Sequence, residues 1–179
     1  MSKRVFLQSA TVLLKIHLRG ELSLLKKAKK GDKKALKKLM INNSEYIYKL
    51  AFMHTKYEDD AKIIMKNTIA YINDNIYKLS KIKNFNEYMI KVTIKYINEY
   101  VEEVGVVEDD NNINYLDING NIDMYKAIDL LDIYQKNVII LLYFYKMTYK
   151  EVGDILDMNE STIKMYLRSA LKNMKESII

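Results

Sequence analysis

The chain of 179 residues contains no proline and only five glycines. All-β folds depend on these two residues for their turns, and phosphate-binding loops depend on glycine, so the sequence speaks against both. No segment reaches the roughly 18 consecutive apolar residues of a membrane span. The stretch from Val5 to Leu18 is interrupted by polar residues and lacks the cleavage pattern of a signal peptide. We therefore predict an all-α chain without membrane insertion, located in the cytoplasm.

Side chains that carry enzymatic chemistry are scarce. The chain has no cysteine and two histidines, which removes thiolate ligands and nucleophiles and leaves little for zinc or histidine-base chemistry. The run from Asp117 to Asp123 has oxygen ligands at alternate positions, as a calcium loop does. Its glycine comes two positions early, however, and Ile128 stands where a bidentate glutamate is required. We predict that the protein is not an enzyme and needs no metal or cofactor.

Charge divides the chain into three parts. The formal net charge is +10 over residues 1–105, −5 over 106–123 and +1 over 124–179. Helical periodicity fails in the acidic middle part, which is typical of a linker. We predict two small helical domains, 21–103 and 124–179, joined by an acidic linker at 104–123, with 1–20 as an N-terminal extension of unknown role. The basic first domain favours an anionic partner.

The first domain shows four helical segments. Asp32 is placed to cap the first, a second is expected from about Asn43 to His54, a third begins at Glu58 and a fourth near Asn84. The fourth segment is apolar on two sides, which is typical of a helix in the middle of a bundle. One stripe holds Phe85, Tyr88, Met89, Val92 and Tyr96, and the other holds Ile90, Ile94, Ile97 and Val101.

Lysine doublets between Lys26 and Lys38 recur at helical spacing around Gly31. They would line one side of a helix only if that helix continued through the glycine. A phosphate track is one interpretation. In a chain with 26 lysines and 3 arginines, a solvated helix face is the simpler one.

The strongest local pattern spans residues 148–164 and predicts two helices joined by a tight turn. Gly153 stands where the two helices approach closely, and Asp157 occupies a turn position that often needs positive φ. Asn159 is placed to cap the second helix. The sequence therefore predicts a helix-turn-helix in the second domain.

The second of these helices has two distinct sides. Arg168, one of three arginines in the chain, lies on the polar side, and its planar guanidinium grips phosphates or guanine edges in a way that lysine cannot. A plain helical hairpin with a polar outer face is the alternative. The polar stripe contains Ser161, Lys164, Met165, Arg168 and Lys172, and the opposite side contains Ile163, Leu167, Ala170 and Met174.

These residues resemble a known family. The segment 127–175 is similar to the minus-35-binding domain of the extracytoplasmic-function sigma factors of bacterial RNA polymerase, and the whole resemblance covers residues 21–176. In the second domain it is carried by an apolar helix after Gln135, by Thr148-Tyr149-Lys150-Glu151-Val152, and by Ser161-Thr162-Ile163-Lys164 with Arg168-Ser169-Ala170. In the first domain it is carried by Ala28-Lys29-Lys30-Gly31-Asp32, by Asp60-Ala61 and by Phe85 through Tyr100.

The resemblance implies an alternative sigma factor that directs promoter-specific initiation through the minus-10 and minus-35 elements. Core RNA polymerase and promoter DNA are the implied partners; an anti-sigma partner is left open. No catalytic residue is implied, since the polymerase does the chemistry. Implied minus-35 contacts are Ser161, Thr162, Lys164, Met165, Arg168 and Lys172. Implied minus-10 contacts are Lys91, Lys95 and Asn98, with Tyr96 or Tyr100 to stack on an extruded base, and implied polymerase contacts are Asp60, Ala61, Ile64 and Lys66.

The first domain also departs from the family. Lys62, Ile63, Lys66 and Asn67 replace an acidic and polar docking surface, Tyr88 replaces a tryptophan, and Glu102-Glu103 replaces arginines. Two negative charges near a phosphate backbone oppose binding. A second interpretation therefore stays open, in which the chain is a helix-turn-helix DNA-binding regulator whose degenerate sigma-like domain does not recruit polymerase.

Overall fold

The computed structural model describes residues 20–104 and 122–178, and within these ranges it contains helices and no strands. The predicted extension at 1–20 and the predicted acidic linker lie almost entirely outside the described residues. The first half consists of α1 (residues 20–28), α2 (Lys33–Thr55), α3 (Glu58–Asp74), a 3₁₀ helix (Ile76–Lys81) and α4 (Phe85–Val104). The second half consists of α5 (Ile122–Asp129), α6 (Ile133–Ile139), a π-helix (Ile140–Phe144), α7 (Tyr149–Leu156) and α8 (Glu160–Ile178).

Helix α2 is longer than the sequence suggested. Its predicted cap is confirmed, because the Asp32 carboxylate accepts hydrogen bonds from the backbone N–H groups of Lys34 and Ala35 at 2.9 and 3.0 Å. The predicted division into two helices near Asn43 is wrong. Asn43 and Ser44 do not cap a new helix; their side chains donate to the carbonyls of Leu39 and Ile41 one turn back.

The lysine doublets do not form one continuous stripe. Gly31 has φ of 90° and separates α1 from α2, a backbone conformation that glycine adopts without strain. The helix therefore does not continue through the glycine, and the phosphate-track interpretation loses its geometric basis.

Helix α4 buries both of its apolar sides, as predicted for a central helix. Phe85, Met89 and Val92 pack into a cluster with residues of α1, α2 and the 3₁₀ helix. Ile90 and Ile94 lie in a second cluster that also contains buried residues of the second half. The helix thus lies between the rest of the first half and the second half of the chain.

The second half begins with two short helices. Helix α5 ends at Asp129, and Asp132 caps α6, accepting from the N–H groups of Tyr134 and Gln135 at 2.9 Å each. A π-turn then follows, in which the Tyr145 N–H donates to the Ile140 carbonyl at 3.1 Å. Together these helices form the platform on which α7 and α8 pack.

One apolar cluster joins the two halves. Its buried members from the first half are Leu50, Ala51, Ala61, Ile64, Ile90, Ile94 and Ile97, and those from the second half include Ile128, Leu131, Val138, Ile139, Ile140, Leu141, Val152 and Ile163. None of the helices described is long and apolar enough to cross a membrane.

Candidate nucleic-acid interface

The helix-turn-helix starts at a capping box. The Thr148 hydroxyl accepts from the Glu151 N–H at 3.3 Å, and the Glu151 carboxylate accepts from the Thr148 N–H and hydroxyl, both at 2.8 Å. These hydrogen bonds from Thr148 lower the pKa of the Glu151 carboxyl, because they stabilise its charged form. The reciprocal bonds fix the first residue of α7.

The turn between α7 and α8 has the predicted geometry. Asp157 adopts φ of 55°, the left-handed conformation expected from its position. The Gly153 carbonyl accepts from the N–H groups of Asp157 and Met158, which brings the turn backbone onto the glycine. A Cβ at position 153 would lie 2.5 Å from the Met158 carbonyl oxygen, so only glycine fits at this point.

Asn159 caps α8, as predicted. Its Oδ1 accepts from the Thr162 N–H at 2.9 Å, from the Thr162 hydroxyl at 3.0 Å and from the Ser161 hydroxyl at 2.5 Å. Two of the predicted DNA contacts therefore have their hydroxyls held by the cap. The first turn of α8 is ordered before any ligand binds.

The predicted division of α8 into an apolar, buried side and a polar, exposed side is confirmed. Ile163 and Ala170 are fully buried and Leu167 is 9% exposed, so the apolar side packs on the rest of the second half. All residues of the predicted polar stripe are exposed (Ser161, Lys164, Met165, Arg168 and Lys172). The structure thus presents a continuous polar and cationic surface along the second helix of a helix-turn-helix, which is the element that enters the DNA major groove in this motif.

Within the polar stripe the cations differ in their surroundings. Lys164 lies 5.3 Å from the centre of the Tyr149 ring and 3.8 Å from Glu160. Lys172 lies 3.8 Å from Glu176. Arg168 forms no ion pair within the described part of the chain, so its guanidinium is the cation of this stripe that is most readily offered to DNA.

The predicted minus-10 residues come together on the surface of α4. Lys91, Lys95 and Asn98 line a cleft of about 490 Å³ between α4 and α7. Lys95 lies 3.4 Å from Glu99, one turn along the same helix. The Asn98 Oδ1 is buried and has no hydrogen-bond partner among the described residues. The three predicted minus-10 residues therefore share one cleft.

The tyrosines near this face are only partly available for stacking. Tyr96 is half-buried, and so is Tyr100, whose hydroxyl bonds to Asp60. Sequence reasoning missed Tyr77, which is 68% exposed in the 3₁₀ helix, and Tyr71, whose ring lies about 5 Å from the ammonium groups of both Lys78 and Lys95. No sequence pattern marks Tyr77, because the 3₁₀ helix that exposes it has no apolar periodicity of its own.

Two of the predicted polymerase contacts are buried in this structure. Ala61 and Ile64 are 0% and 1% exposed and belong to the apolar cluster that joins the two halves. They are the inward positions of α3, so no partner reaches them in this structure. Asp60 is half-buried, and Lys66 is exposed with Ile63 and Asn67 on the outward side of the helix.

Sequence reasoning missed a buried polar network between the halves. His54 Nε2 lies 2.8 Å from the Asn137 side chain, and His54 Nδ1 lies 2.8 Å from the Leu50 carbonyl. Nearby, Asp129 contacts Lys56 at 3.0 Å and Lys136 at 3.5 Å. Burial lowers the pKa of His54 to about 4, so the ring is neutral at pH 7.

This neutral ring determines how the Asn137 amide is oriented. Nδ1 carries the proton, because it faces a carbonyl, and Nε2 then needs a donor. The Asn137 Nδ2 has no partner among the described residues as drawn, and a half-turn of the amide places it against Nε2, since the O and N positions are interchangeable. Three described residues, His54, Leu50 and Asn137, thus form a hydrogen-bonded chain across the interface.

Residues 20–104 and 122–178 contain no group of three or more His, Asp or Glu side chains arranged to hold a metal ion. The calcium-like run at 117–123 lies almost entirely outside these ranges.

Known proteins share both this sequence pattern and this fold. The family model for sigma-70, region 4, matches residues 127–176. RNA polymerase sigma factor SigV of Bacillus subtilis (strain 168) is 26% identical over 141 residues, which cover 75% of this chain and 85% of SigV. The chain is thus similar to an RNA polymerase sigma factor over most of its length. The helix-turn-helix described above lies within the segment that matches sigma-70, region 4.

Two solved structures have a fold similar to that of this chain. CnrH in complex with the cytosolic domain of CnrY matches with a TM-score of 0.64 and 13% identity, covering 89% of this chain and 97% of that one. The sigma factor RpoE of Bartonella quintana, in complex with the anti-sigma factor NepR, matches with a TM-score of 0.61 and 18% identity, covering 79% and 95%. Both matches extend well beyond region 4, so the likeness includes the first half.

Proposed function

We propose that this chain is a sigma factor, which directs core RNA polymerase to promoters by placing α8 in the major groove of the minus-35 element and the surface of α4 against the minus-10 strand. The observation that carries the proposal is the polar stripe of α8, which is exposed along its length while the opposite side of the helix is buried. The polymerase supplies the chemistry, so the sigma factor itself is not an enzyme, and it acts where the polymerase is, in the cytoplasm.

At the minus-35 element the residues of α8 have different roles. Ser161 and Thr162 lie at the capped N-terminus, which approaches the bases in this motif. Lys164 and Lys172 supply positive charge along the helix for the phosphates. Arg168 is suited to a bidentate contact with a guanine edge or a phosphate, because its guanidinium is free within the described structure and presents a planar fork.

At the minus-10 element, Lys91, Lys95 and Asn98 form the polar face. Base stacking needs an exposed ring, and Tyr77 provides one where Tyr96 and Tyr100 are half-buried. The basic groups of Lys78 and Lys95 lie beside the neighbouring Tyr71 ring. Proteins bind single-stranded DNA with cations that contact the phosphates and with aromatic rings that stack on the bases, and this surface has both.

The outward side of α3 is the proposed contact with the polymerase, with Lys66, Ile63 and Asn67 in place of the buried Ala61 and Ile64. The proposed organisation keeps the two domains at 21–103 and 124–179. RpoE of Bartonella quintana binds an anti-sigma factor, and by likeness of fold we extend the possibility of a protein partner of that kind to this chain.

The test is reconstitution with core RNA polymerase, followed by run-off transcription on DNA fragments that the complex enriches. A holoenzyme that starts at defined sites is expected, because both predicted DNA faces are present in one chain. Failure to form a holoenzyme, together with retained binding to duplex DNA, would contradict the proposal and match a regulator that works without polymerase.

Replacing Arg168 by alanine is expected to weaken binding to minus-35 duplex DNA by about 1–3 kcal/mol, because one bidentate contact is lost. The measurement is fluorescence anisotropy with the enriched duplex, with circular dichroism to check the fold. Lys126→Ala is the matched control, since Lys126 is an exposed cation on α5, outside the polar stripe. Equal affinities for the wild type and Arg168→Ala would show that the stripe is misassigned.

A further inference from the structure

The polar stripe of α8 contains one apolar side chain, that of Met165. It is 58% exposed, and neither of the two apolar clusters formed by the described residues contains it. Ser161 lies one turn before it and Arg168 one turn after it, and both are exposed. Single exposed apolar residues are ordinary on protein surfaces, but Met165 lies in the middle of the surface that the proposed function places against DNA bases.

The polar neighbours of Met165 already have partners inside the protein. The Ser161 hydroxyl donates to the side chain of Asn159, which caps the helix. The Lys164 ammonium lies 3.8 Å from the Glu160 carboxylate. A direct contact of these groups with a base has to replace or share an existing interaction, which reduces the net gain in free energy. The thioether of Met165 has no strong hydrogen bond to give up.

Helix geometry places Met165 and Arg168 toward neighbouring base pairs. Residues three apart in an α-helix differ by about 60° around the axis and by about 4.5 Å along it. Base pairs in a DNA duplex are about 3.4 Å apart. Met165 is in the second turn of α8, which begins at Glu160, and the N-terminal part of this helix contacts base edges in a helix-turn-helix. When the stripe faces the groove, Met165 therefore faces the base pair next to the one that Arg168 faces.

The major groove offers one apolar group to a side chain, the C5 methyl group of thymine. The other groups at the base edges are hydrogen-bond donors and acceptors. A methionine that covers one of them removes it from water without giving a hydrogen bond of comparable strength. The unbranched side chain of methionine adapts its shape to the surface that it contacts. Among the four bases, thymine is therefore the one that Met165 favours.

We propose that Met165 selects a thymine in the minus-35 element by apolar contact with its 5-methyl group. This inference rests on the proposed function and adds the identity of one base. An apolar groove on a protein partner also suits an exposed methionine, but Lys164 and Arg168 lie beside Met165, and such a groove would bury their charges. The cationic surroundings favour a polyanion that carries an apolar group, and DNA that contains thymine is such a polyanion.

Replacing thymine by uracil tests the contact, because the two bases differ only in the methyl group. The full-length wild-type chain first enriches duplexes from a pool with a randomised centre, and each thymine of an enriched duplex is then replaced singly by deoxyuridine. We expect one replacement to weaken binding about fourfold in fluorescence anisotropy, which is the effect of losing one methyl contact. This ratio is expected to stay the same at higher salt, because the contact involves no phosphate. Equal affinities for the parent duplex and all the uracil-containing duplexes would overturn the inference.

Variants at position 165 test whether this residue makes the methyl contact. Glutamine and leucine suit a helix as well as methionine does, so both variants are expected to keep the circular dichroism spectrum. Met165→Gln is expected to bind the thymine and uracil duplexes equally, whereas Met165→Leu keeps a preference for thymine of about twofold or more. Leu171→Gln is the matched control, since Leu171 is 44% exposed on the same helix and lies outside the stripe. It is expected to keep the ratio of the wild type. A wild-type ratio that persists in Met165→Gln would assign the methyl group to another side chain and overturn the inference.

The failure of this inference is distinguishable from the failure of the proposed function. Specific binding by the wild type without any response to uracil overturns the role of Met165 alone and leaves the binding of minus-35 DNA in place. A wild-type chain that enriches no duplex contradicts the proposed minus-35 contact, and the inference falls with it.

Discussion

Replacing Gly153 by valine is expected to lower the free energy of unfolding by about 3 kcal/mol, because the new side chain collides with backbone. A Cβ at this position would lie 2.5 Å from the Met158 carbonyl oxygen. That oxygen belongs to the turn between α7 and α8, which is fixed at both sides by the left-handed Asp157 and by the Asn159 cap. The turn therefore has no flexible atom to move aside, and α8 must shift from its packed position.

Urea denaturation followed by circular dichroism measures this effect, and binding to minus-35 duplex DNA is expected to fall with it. Gly20→Ala is the control, since nothing lies within 4 Å of a Cβ at position 20. A helical alanine in place of glycine there is expected to leave the stability unchanged or raise it by up to about 1 kcal/mol. A Gly153→Val protein as stable as the wild type would contradict the close approach of turn and helix.

Acidification from pH 7.5 to pH 5 is expected to lower the free energy of unfolding by about 2 kcal/mol through His54 alone. Burial holds the pKa of His54 at about 4, against 6.5 for the exposed residue. As the pH falls through 6.5 the unfolded chain takes up a proton that the folded chain does not accept until about pH 4, so the stability decreases across this window. The positive charge of nearby Lys136 also lowers the pKa of His54, while the hydrogen bond to the Leu50 carbonyl opposes the shift.

The measurement is urea denaturation at several pH values between 5 and 7.5, compared with His54→Gln. The carboxylates titrate alike in both proteins, so the difference between the two stability curves isolates His54. Between pH 7.5 and pH 5, the free energy of unfolding of His54→Gln is expected to fall by about 2 kcal/mol less than that of the wild type. His17→Gln, which removes the other histidine of the chain, is expected to keep the slope of the wild type. Parallel curves for the wild type and His54→Gln would show that the ring is not buried in a neutral form.

The helix-turn-helix was predictable residue by residue, because each of its special positions has a local cause. Asn159 acts through its own side chain and Asp157 through its backbone angles, and these depend on neighbours within a few residues. The same holds for the Asp32 cap at the start of α2. The two sides of α8 follow from helical periodicity. The sequence also predicted that Gly153 lies where the two helices approach closely. In the structure, the atom that excludes a side chain there belongs to the backbone of the turn.

What the sequence did not reveal depends on contacts between residues distant in the chain. The stripe of Ile90, Ile94, Ile97 and Val101 was visible as apolar, but periodicity does not show that its partner is the second half of the chain. For the same reason Ala61 and Ile64 looked like surface contacts until their burial was known. His54 had a usable signal: with Ile47, Leu50 and Ala51 it continues the buried side of α2, so its position predicts a neutral, buried ring.

The length of α2 shows a different limit of prediction from the sequence. Asn43 and Ser44 are typical of helix starts, and their side chains do form local hydrogen bonds, but toward the preceding turn. The same side chains serve either conformation. Packing of Leu39, Met40 and Ile47 into one cluster favours the continuous helix, and that cluster depends on residues of α4 and the 3₁₀ helix.

The apolar cluster that spans both halves couples their folding. The first half also has a cluster of its own, but the second half shares its buried core with residues of α2, α3 and α4. A substitution among those shared residues is therefore transmitted to α8 as a loss of order along its exposed polar stripe. Selection on whatever the surface of α8 binds consequently acts on buried positions of the first half as well as on that surface.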